Sequence, residues 1–382
     1  MKYTLCITQQ CNLNCNYCYI GKKKSTMALP IAEKIVDFIF ANSPKDEKID
    51  IGFFGGEPFL KFEQIKEITE LIKLHPSFND EWVELSVTTN GTIFSEEIAN
   101  YINIHNIKFC ISCDGPSFVQ DKFRCFPNGM GSSSLVEDTI RQSVDVLPYT
   151  FINAVYHPLT FQHLPTVIDY LSSLGIRQIY LNPDFSASWN KKNADLLPEI
   201  YDEIAQKYIS YHLEEKPHFI SLIDSKITVI LRGGYKPIER CRMGKGELAF
   251  APSGNIYPCE RLIGCDDGVN HCLGNINNGF SHDGICKIEN PGKNINNECQ
   301  FCSLSDYCMN WCGCSNYFSS GDYNTVGPFL CASEKTSILS AFRVFQSLEK
   351  KMGTTFYDHL SGTAFMKPVE RNKNDKDTES NK

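Results

Sequence analysis

The chain lacks any apolar run approaching the roughly 20 residues that a bilayer-crossing helix needs. Its opening, Met1-Lys2-Tyr3-Thr4-Leu5-Cys6-Ile7, is too short and too quickly polar for a secretory signal. An excess of basic residues is also missing. The formal net charge is −8, which argues against a dominant nucleic-acid footprint. Together these absences imply a cytoplasmic protein with neither a membrane nor a nucleic-acid partner. At 382 residues the chain is long enough for two domains, or for one large α/β barrel with an appendage. It has no need of disulfides in place of a core. Its 18 cysteines therefore require another explanation, and in a reducing compartment metal or cluster ligation is the natural one.

Short apolar stretches at residues 3–7, 48–54, 82–88, 108–113, 151–156 and 178–181 read as strands. Helical patterns occupy residues 30–43, 62–74, 96–105 and 164–174 between them, followed by longer ones at 196–211 and 222–231. This alternation predicts parallel βα units. The polar motifs Gly55-Gly56-Glu57-Pro58, Thr89-Asn90-Gly91 and Asp114-Gly115-Pro116 each follow a strand, where such folds place their ligands. Past about residue 239 the texture turns to Gly, Asn, Cys and short turns. The expected domains are residues 1–232, 233–350 and a C-terminal segment 351–382, whose polar end from about 367 is expected to be disordered.

Cys11, Cys15 and Cys18 form a compact C-x3-C-x2-C triad. Such a triad can hold three corners of a [4Fe-4S] cube and leave the fourth iron to a small molecule with an amino and a carboxylate group. The spacing resembles the signature of the radical S-adenosylmethionine (radical SAM) superfamily. That resemblance implies a partial (β/α)6 TIM-like barrel in which SAM chelates the fourth iron. It also implies one-electron cleavage of SAM to a 5′-deoxyadenosyl radical that abstracts a hydrogen atom. Tyr17 then sits near the adenine, and Gly55, Gly56 and Glu57 meet the methionine ammonium. Ser112 and Asp114 become candidate ribose contacts, with Asn90 and Asn153 as polar contacts and Arg124 meeting the SAM carboxylate or a substrate group. Singly, the contacts outside the glycine motif read equally as structural.

A second set of cysteines runs Cys241-x12-Gly254-x4-Cys259, then Cys299-x2-Cys302-x5-Cys308-x3-Cys312, then Cys331. By themselves these spacings suit structural zinc as well as iron. Beside the first triad they resemble the SPASM extension of radical SAM enzymes that modify peptides and proteins. The resemblance implies an outer auxiliary cluster on Cys299, Cys302, Cys308 and Cys331 and an inner one on Cys241, Cys259 and Cys312, giving three [4Fe-4S] clusters in all. The inner site has only three assigned cysteines. It either keeps an open iron for a substrate thiolate or is closed by one of Cys265, Cys272, Cys286 and Cys314. Glu260, directly after Cys259, is a candidate base and equally a salt-bridge partner.

The main expectation is a maturase that installs a thioether or carbon–carbon crosslink in a ribosomally made precursor peptide. The alternative is an anaerobic sulfatase-maturating enzyme that oxidises Cys or Ser to formylglycine. A nonenzymatic iron–sulfur electron carrier is the reading from a different class. The expected partners are the precursor peptide or protein substrate and a flavodoxin- or ferredoxin-like electron donor. The chain begins almost at its first strand, so a leader peptide is expected to dock on the barrel, on the linker or on a separate leader-binding protein.

Overall fold

The computed structural model describes residues 1–44, 47–147, 149–236, 240, 243–282, 284 and 297–364. Strand β1 (Lys2–Thr8) is followed by β2 (Ile49–Gly55), β3 (Val83–Thr89), β4 (Lys108–Ser112), β5 (Thr150–Tyr156), β6 (Gln178–Pro183) and β7 (Phe219–Ile220). All pair in parallel, each with the next along the chain. The helices Leu29–Asn42, Phe62–Leu74, Glu96–Ile104, Ser133–Val146 and Leu164–Ser173 connect them. The sheet is open, with β7 at one edge. The expected partial barrel is what forms.

Side-chain alternation explains how the sheet builds both a core and a cavity. Along β2 and β3, Ile51, Phe53, Leu85 and Val87 are buried on the face that packs with the helices. Their neighbours Gly52, Phe54, Ser86 and Thr88 point to the opposite face and line a cavity, as the two-residue period of a strand requires. Burial of the apolar face contributes roughly 25 cal/mol per Å² and sets the register. A one-residue slip would turn Phe53 and Val87 into the cavity.

The sheet does not end where the composition changes. Strand β8 (Glu247–Phe250) pairs in parallel with β1, so β1 is flanked on both sides and is buried along nearly its whole length. Three short antiparallel strands, β9 (Asn255–Tyr257), β10 (Gly274–Asn275) and β11 (Gly279–Phe280), extend the sheet beyond β8. The long helix Pro328–Met352 returns across Lys191–Leu213 and Ser221–Leu231. Phe329 stacks on Trp189 with ring centroids 3.7 Å apart, and Tyr201 and Ser333 hydroxyls lie 2.8 Å apart. Lys226 and Glu334 pair at 2.6 Å. The segment after residue 351 begins as a helix, Thr354–Ala364; its polar end, like Cys241 and Cys286, lies outside the described residues.

Candidate active site

A cavity of about 370 Å³ lies on the sheet's inner face. Cys11, Cys15 and Cys18 line it beyond the C-terminal end of β1. The loop carrying them is held from several sides. Asn14 N–H donates to Cys125 O at 2.6 Å and Asn16 N–H to Phe123 O at 3.1 Å. Gly21 N–H donates to Gly264 O at 2.7 Å, which ties the loop to the C-terminal region. The Asn90 amide donates to Asn12 Oδ1 at 2.8 Å and lies 3.7 Å from Cys11 Sγ. Burial pushes the Cys15 thiol up to about 11, against the opposing pull of Arg124.

Gly55 and Gly56 face the cavity through their backbone. A Cβ on Gly55, whose φ is +150°, would lie 2.2 Å from Thr8 O, and one on Gly56 2.2 Å from Gln10 O. Neither position has room for a side chain, so β2 can approach the cysteine loop only with glycine there. Glu57 does not join them. It is fully buried and its carboxylate accepts from Phe59 N at 3.0 Å, Thr89 Oγ1 at 2.9 Å and Asn90 N at 2.6 Å. Burial raises its pKa to about 7. The Glu57 side chain thereby joins the ends of β2 and β3.

Asp114 is likewise bonded within the protein. It is 2% exposed and accepts from the Tyr17 hydroxyl and, at 2.9 Å, from Val155 N. It lies 3.0 Å from Arg124 Nε. Tyr17 and Arg124 do line the cavity, with the guanidinium 5.3 Å from the Tyr17 ring centroid. Burial works against the Arg124 charge, but Asp114, Tyr17 and Cys15 outweigh it and its pKa is raised well above the ordinary value. Asn90, Ser112 and Asn153 also face the cavity, Asn153 Oδ1 accepting from Asn182 Nδ2 at 2.8 Å.

Glu260 and Arg261 line the same cavity as the triad, together with Lys2, Phe185 and Phe318. Lys2 Nζ is 3.0 Å from Glu247 Oε1 and 3.5 Å from Glu260 Oε2. Burial opposes ionisation of Glu260, but Lys2, Glu247 and Arg261 hold its carboxyl well below the ordinary range. Glu247 is shifted upwards by burial and by Glu260. Glu247, Cys259 and Glu260 offer ligand atoms within 4.8 Å of one another, yet the Lys2 ammonium is already paired with both carboxyl groups. Sequence reasoning missed Lys2, Glu247, Phe185 and Phe318 because no motif marks them.

Two further sulfur groups lie outside the cavity. Cys299, Cys302, Cys308 and Cys331 surround a single small pocket of about 20 Å³, bringing the four expected outer residues together. Cys312 Sγ lies 3.7 Å from Cys314 Sγ, and Cys259 packs with Cys314 in one small buried cluster. Cys265 is exposed, its Sγ beside Gly21.

The comparisons agree with this architecture. Residues 5–171 match the radical SAM superfamily. The chain is 24% identical over 278 residues to a cysteine-type anaerobic sulfatase-maturating enzyme of Clostridium novyi, covering 67% of this chain and 72% of that one. Native anSMEcpe with bound AdoMet and Cp18Cys peptide superposes with a TM-score of 0.77 at 19% identity, covering 92% of this chain and 99% of the other. Streptococcus suis SuiB bound to precursor peptide SuiA gives 0.58 at 13% identity, with 86% and 75% covered. The α/β core joined to a cysteine-rich C-terminal region is common to these folds. Residues 5–171 thus match the radical SAM domain of SAM-dependent enzymes, and the fold of the chain resembles that of the SPASM-domain maturases.

Proposed function

We propose that the protein oxidises a Cys or Ser side chain of a peptide or protein to formylglycine. This reverses the sequence preference for a crosslinking maturase. The observation that carries the reading is the Glu260 carboxyl group, lining the same cavity as the cysteine triad and lying 3.5 Å from Lys2 Nζ. The fuller overlap with anSMEcpe than with SuiB supports the same choice.

The residues fit the cofactors that this reading needs. Cys11, Cys15 and Cys18 would hold the SAM-binding cluster, since they share one cavity wall and thiolates are natural ligands for iron. The open glycine backbone at Gly55 and Gly56 and the Tyr17 ring would hold SAM. The bound pair supplies hydrogen-atom abstraction at the target carbon. Cys299, Cys302, Cys308 and Cys331 would hold an outer auxiliary cluster, with Cys241, Cys259 and Cys312 at an inner one.

The rest of the chemistry belongs to the chain. Glu260 Oε2 takes the proton from the target hydroxyl or thiol as the carbon loses its hydrogen atom, and the one remaining electron is what auxiliary clusters held by the C-terminal cysteines would accept. A serine target yields the aldehyde directly. A cysteine target yields a thioaldehyde, which water converts to the aldehyde with loss of hydrogen sulfide. Lys2 and Arg261 hold Glu260 in its ionised, unprotonated form, and the aromatic lining of Phe54, Phe185 and Phe318 limits water around it.

Anaerobic incubation with SAM, a reductant and Cys- or Ser-containing sulfatase peptides tests this, with product read by mass spectrometry and by hydrazide labelling. An aldehyde that captures hydrazide is expected. A cysteine-bearing precursor peptide that loses two hydrogens and stays unlabelled would instead establish a crosslinking enzyme.

A further inference from the structure

Among the described residues, Lys2, Arg124 and Arg261 are the cations that line the cavity. The first two are paired. Lys2 meets Glu247 and Glu260, and Arg124 meets Asp114. No carboxylate among the described residues forms an ion pair with Arg261. Its guanidinium makes a single hydrogen bond, from Nη1 to Ser315 Oγ at 3.2 Å. Besides Glu260, the acid on the cavity wall is Asp184, and it is engaged elsewhere. Its Oδ1 accepts from Ser186 N at 3.0 Å and from Ser186 Oγ at 2.7 Å.

The guanidinium is nonetheless held in place. It lies over the Phe185 ring, 4.5 Å from the centroid, and the buried Ser315 fixes it from another side. An arginine stacked on an aromatic face keeps the in-plane edge of its fork for a planar acceptor. Burial works against its charge, but Cys314, Cys259, Cys312 and Glu260 outweigh it and raise the Arg261 pKa. Ser315 Oγ also lies 3.2 Å from Cys312 Sγ, which sets that sulfur on the Ser315 side of the guanidinium. A half-buried cation without a carboxylate costs free energy that a bound anion recovers.

We propose that Arg261 is the subsite for a carboxylate of the peptide substrate, supplied by an Asp or Glu side chain close to the residue that reacts. Glu260 and Arg261 are consecutive in one short turn, Glu260–Leu262. A residue that meets Glu260 and an acid that meets Arg261 therefore lie within about three residues of each other on an extended chain. The contact is bidentate and charge-assisted, which separates Asp or Glu from Asn or Gln at that position. The inference rests on the reading that a peptide side chain reacts in this cavity, and it holds whichever product forms.

The test uses the holoenzyme with SAM and a reductant under anaerobic conditions. The probes are sulfatase peptides with one Cys and an amidated C-terminus, carrying Asp or Asn at one position within about three residues of the Cys. Peptide-dependent 5′-deoxyadenosine formation gives KM and kcat for wild type, Arg261→Gln and Arg261→Lys, and calorimetry gives Kd. At the favoured position the wild type should bind the Asp peptide about 10- to 100-fold more tightly than the Asn peptide. That preference should vanish in Arg261→Gln and return in part in Arg261→Lys. A purely structural effect on Glu260 or on the cysteines would slow both peptides alike and leave their ratio untouched. A ratio near one at every position in wild type, or a ratio preserved in Arg261→Gln, would overturn the inference alone. A product that has lost two hydrogens and captures no hydrazide, with the Asp preference intact, would overturn the formylglycine reading and support this inference. Binding of no peptide would overturn both.

Discussion

Replacing Asp114 by Asn tests whether the wall of the cavity hangs on one buried ion pair. Asp114 is 2% and Arg124 7% exposed, and their charges lie 3.0 Å apart. Asn preserves the size and can still accept the Val155 N–H. It cannot balance the guanidinium. An unpaired buried charge costs about 3–5 kcal/mol, and the Tyr17 hydroxyl loses a charged acceptor worth about 1.5–3 kcal/mol by itself. Because the three side chains form one network these terms overlap, and a total of about 4 kcal/mol is expected. Arg124→Met should cost less, since Asp114 keeps the Tyr17 and Val155 donors. The double variant should cost about 1–3 kcal/mol less than the sum of the single ones. Urea unfolding under anaerobic conditions, followed by circular dichroism, measures all three. A loss below about 1 kcal/mol for Asp114→Asn, the range of an exposed pair, would refute the reasoning. Strict additivity would do so too.

Glu57 gives a pH dependence of definite sign. Its folded pKa of about 7 stands above the ordinary 4.5, so the native chain retains a proton that the unfolded chain releases. Its contribution to stability is complete below pH 4.5 and declines up to about pH 7, by about 3 kcal/mol in total; urea midpoints of wild type and Glu57→Gln across that window should converge or diverge accordingly, with the dependence absent from the variant. Gly56→Ala drives a Cβ into Gln10 O and should cost about 1–3 kcal/mol. It should also lower the iron content by about four per chain, since Gln10 precedes Cys11; unchanged iron would show that the loop yields. Glu260→Gln should slow product formation at least about 100-fold while leaving SAM binding within about twofold, as measured by calorimetry. Equal loss of both would make Glu260 a structural residue.

Much of the sheet was legible because its rules are local. The expected helix at residues 62–74 is the observed Phe62–Leu74, where apolar residues recur at helical spacing and bury Ile65, Ile68 and Ile72. The cysteine groups were legible for a similar reason, as short spacings constrain which sulfurs can share a centre. Strand β8 was not, because only pairing with β1 makes Glu247–Phe250 a strand of the main sheet. Helix Pro328–Met352 likewise owes its place to Trp189, Tyr201 and Lys226 on distant segments. Glu57 and Asp114 were assigned to the ligand because they follow strand ends, yet burial turned both carboxylates towards backbone donors and neighbouring side chains. A sequence position fixes which end of a strand a residue occupies, but not which side of the wall its carboxylate faces.

The sequence alone determined the alternating βα order, the two cysteine-rich zones and the glycine approach to the first of them. These depend on residue type and short spacing. Tertiary structure alone decided that Lys2 and Glu247 would flank Glu260, 258 and 13 positions away, and that Cys259 would pack against Cys314 from a distant segment. Those arrangements follow from burying apolar faces, which draws polar atoms from remote segments into water-poor space. There each must find a partner, because an unpaired one costs more than most single contacts contribute.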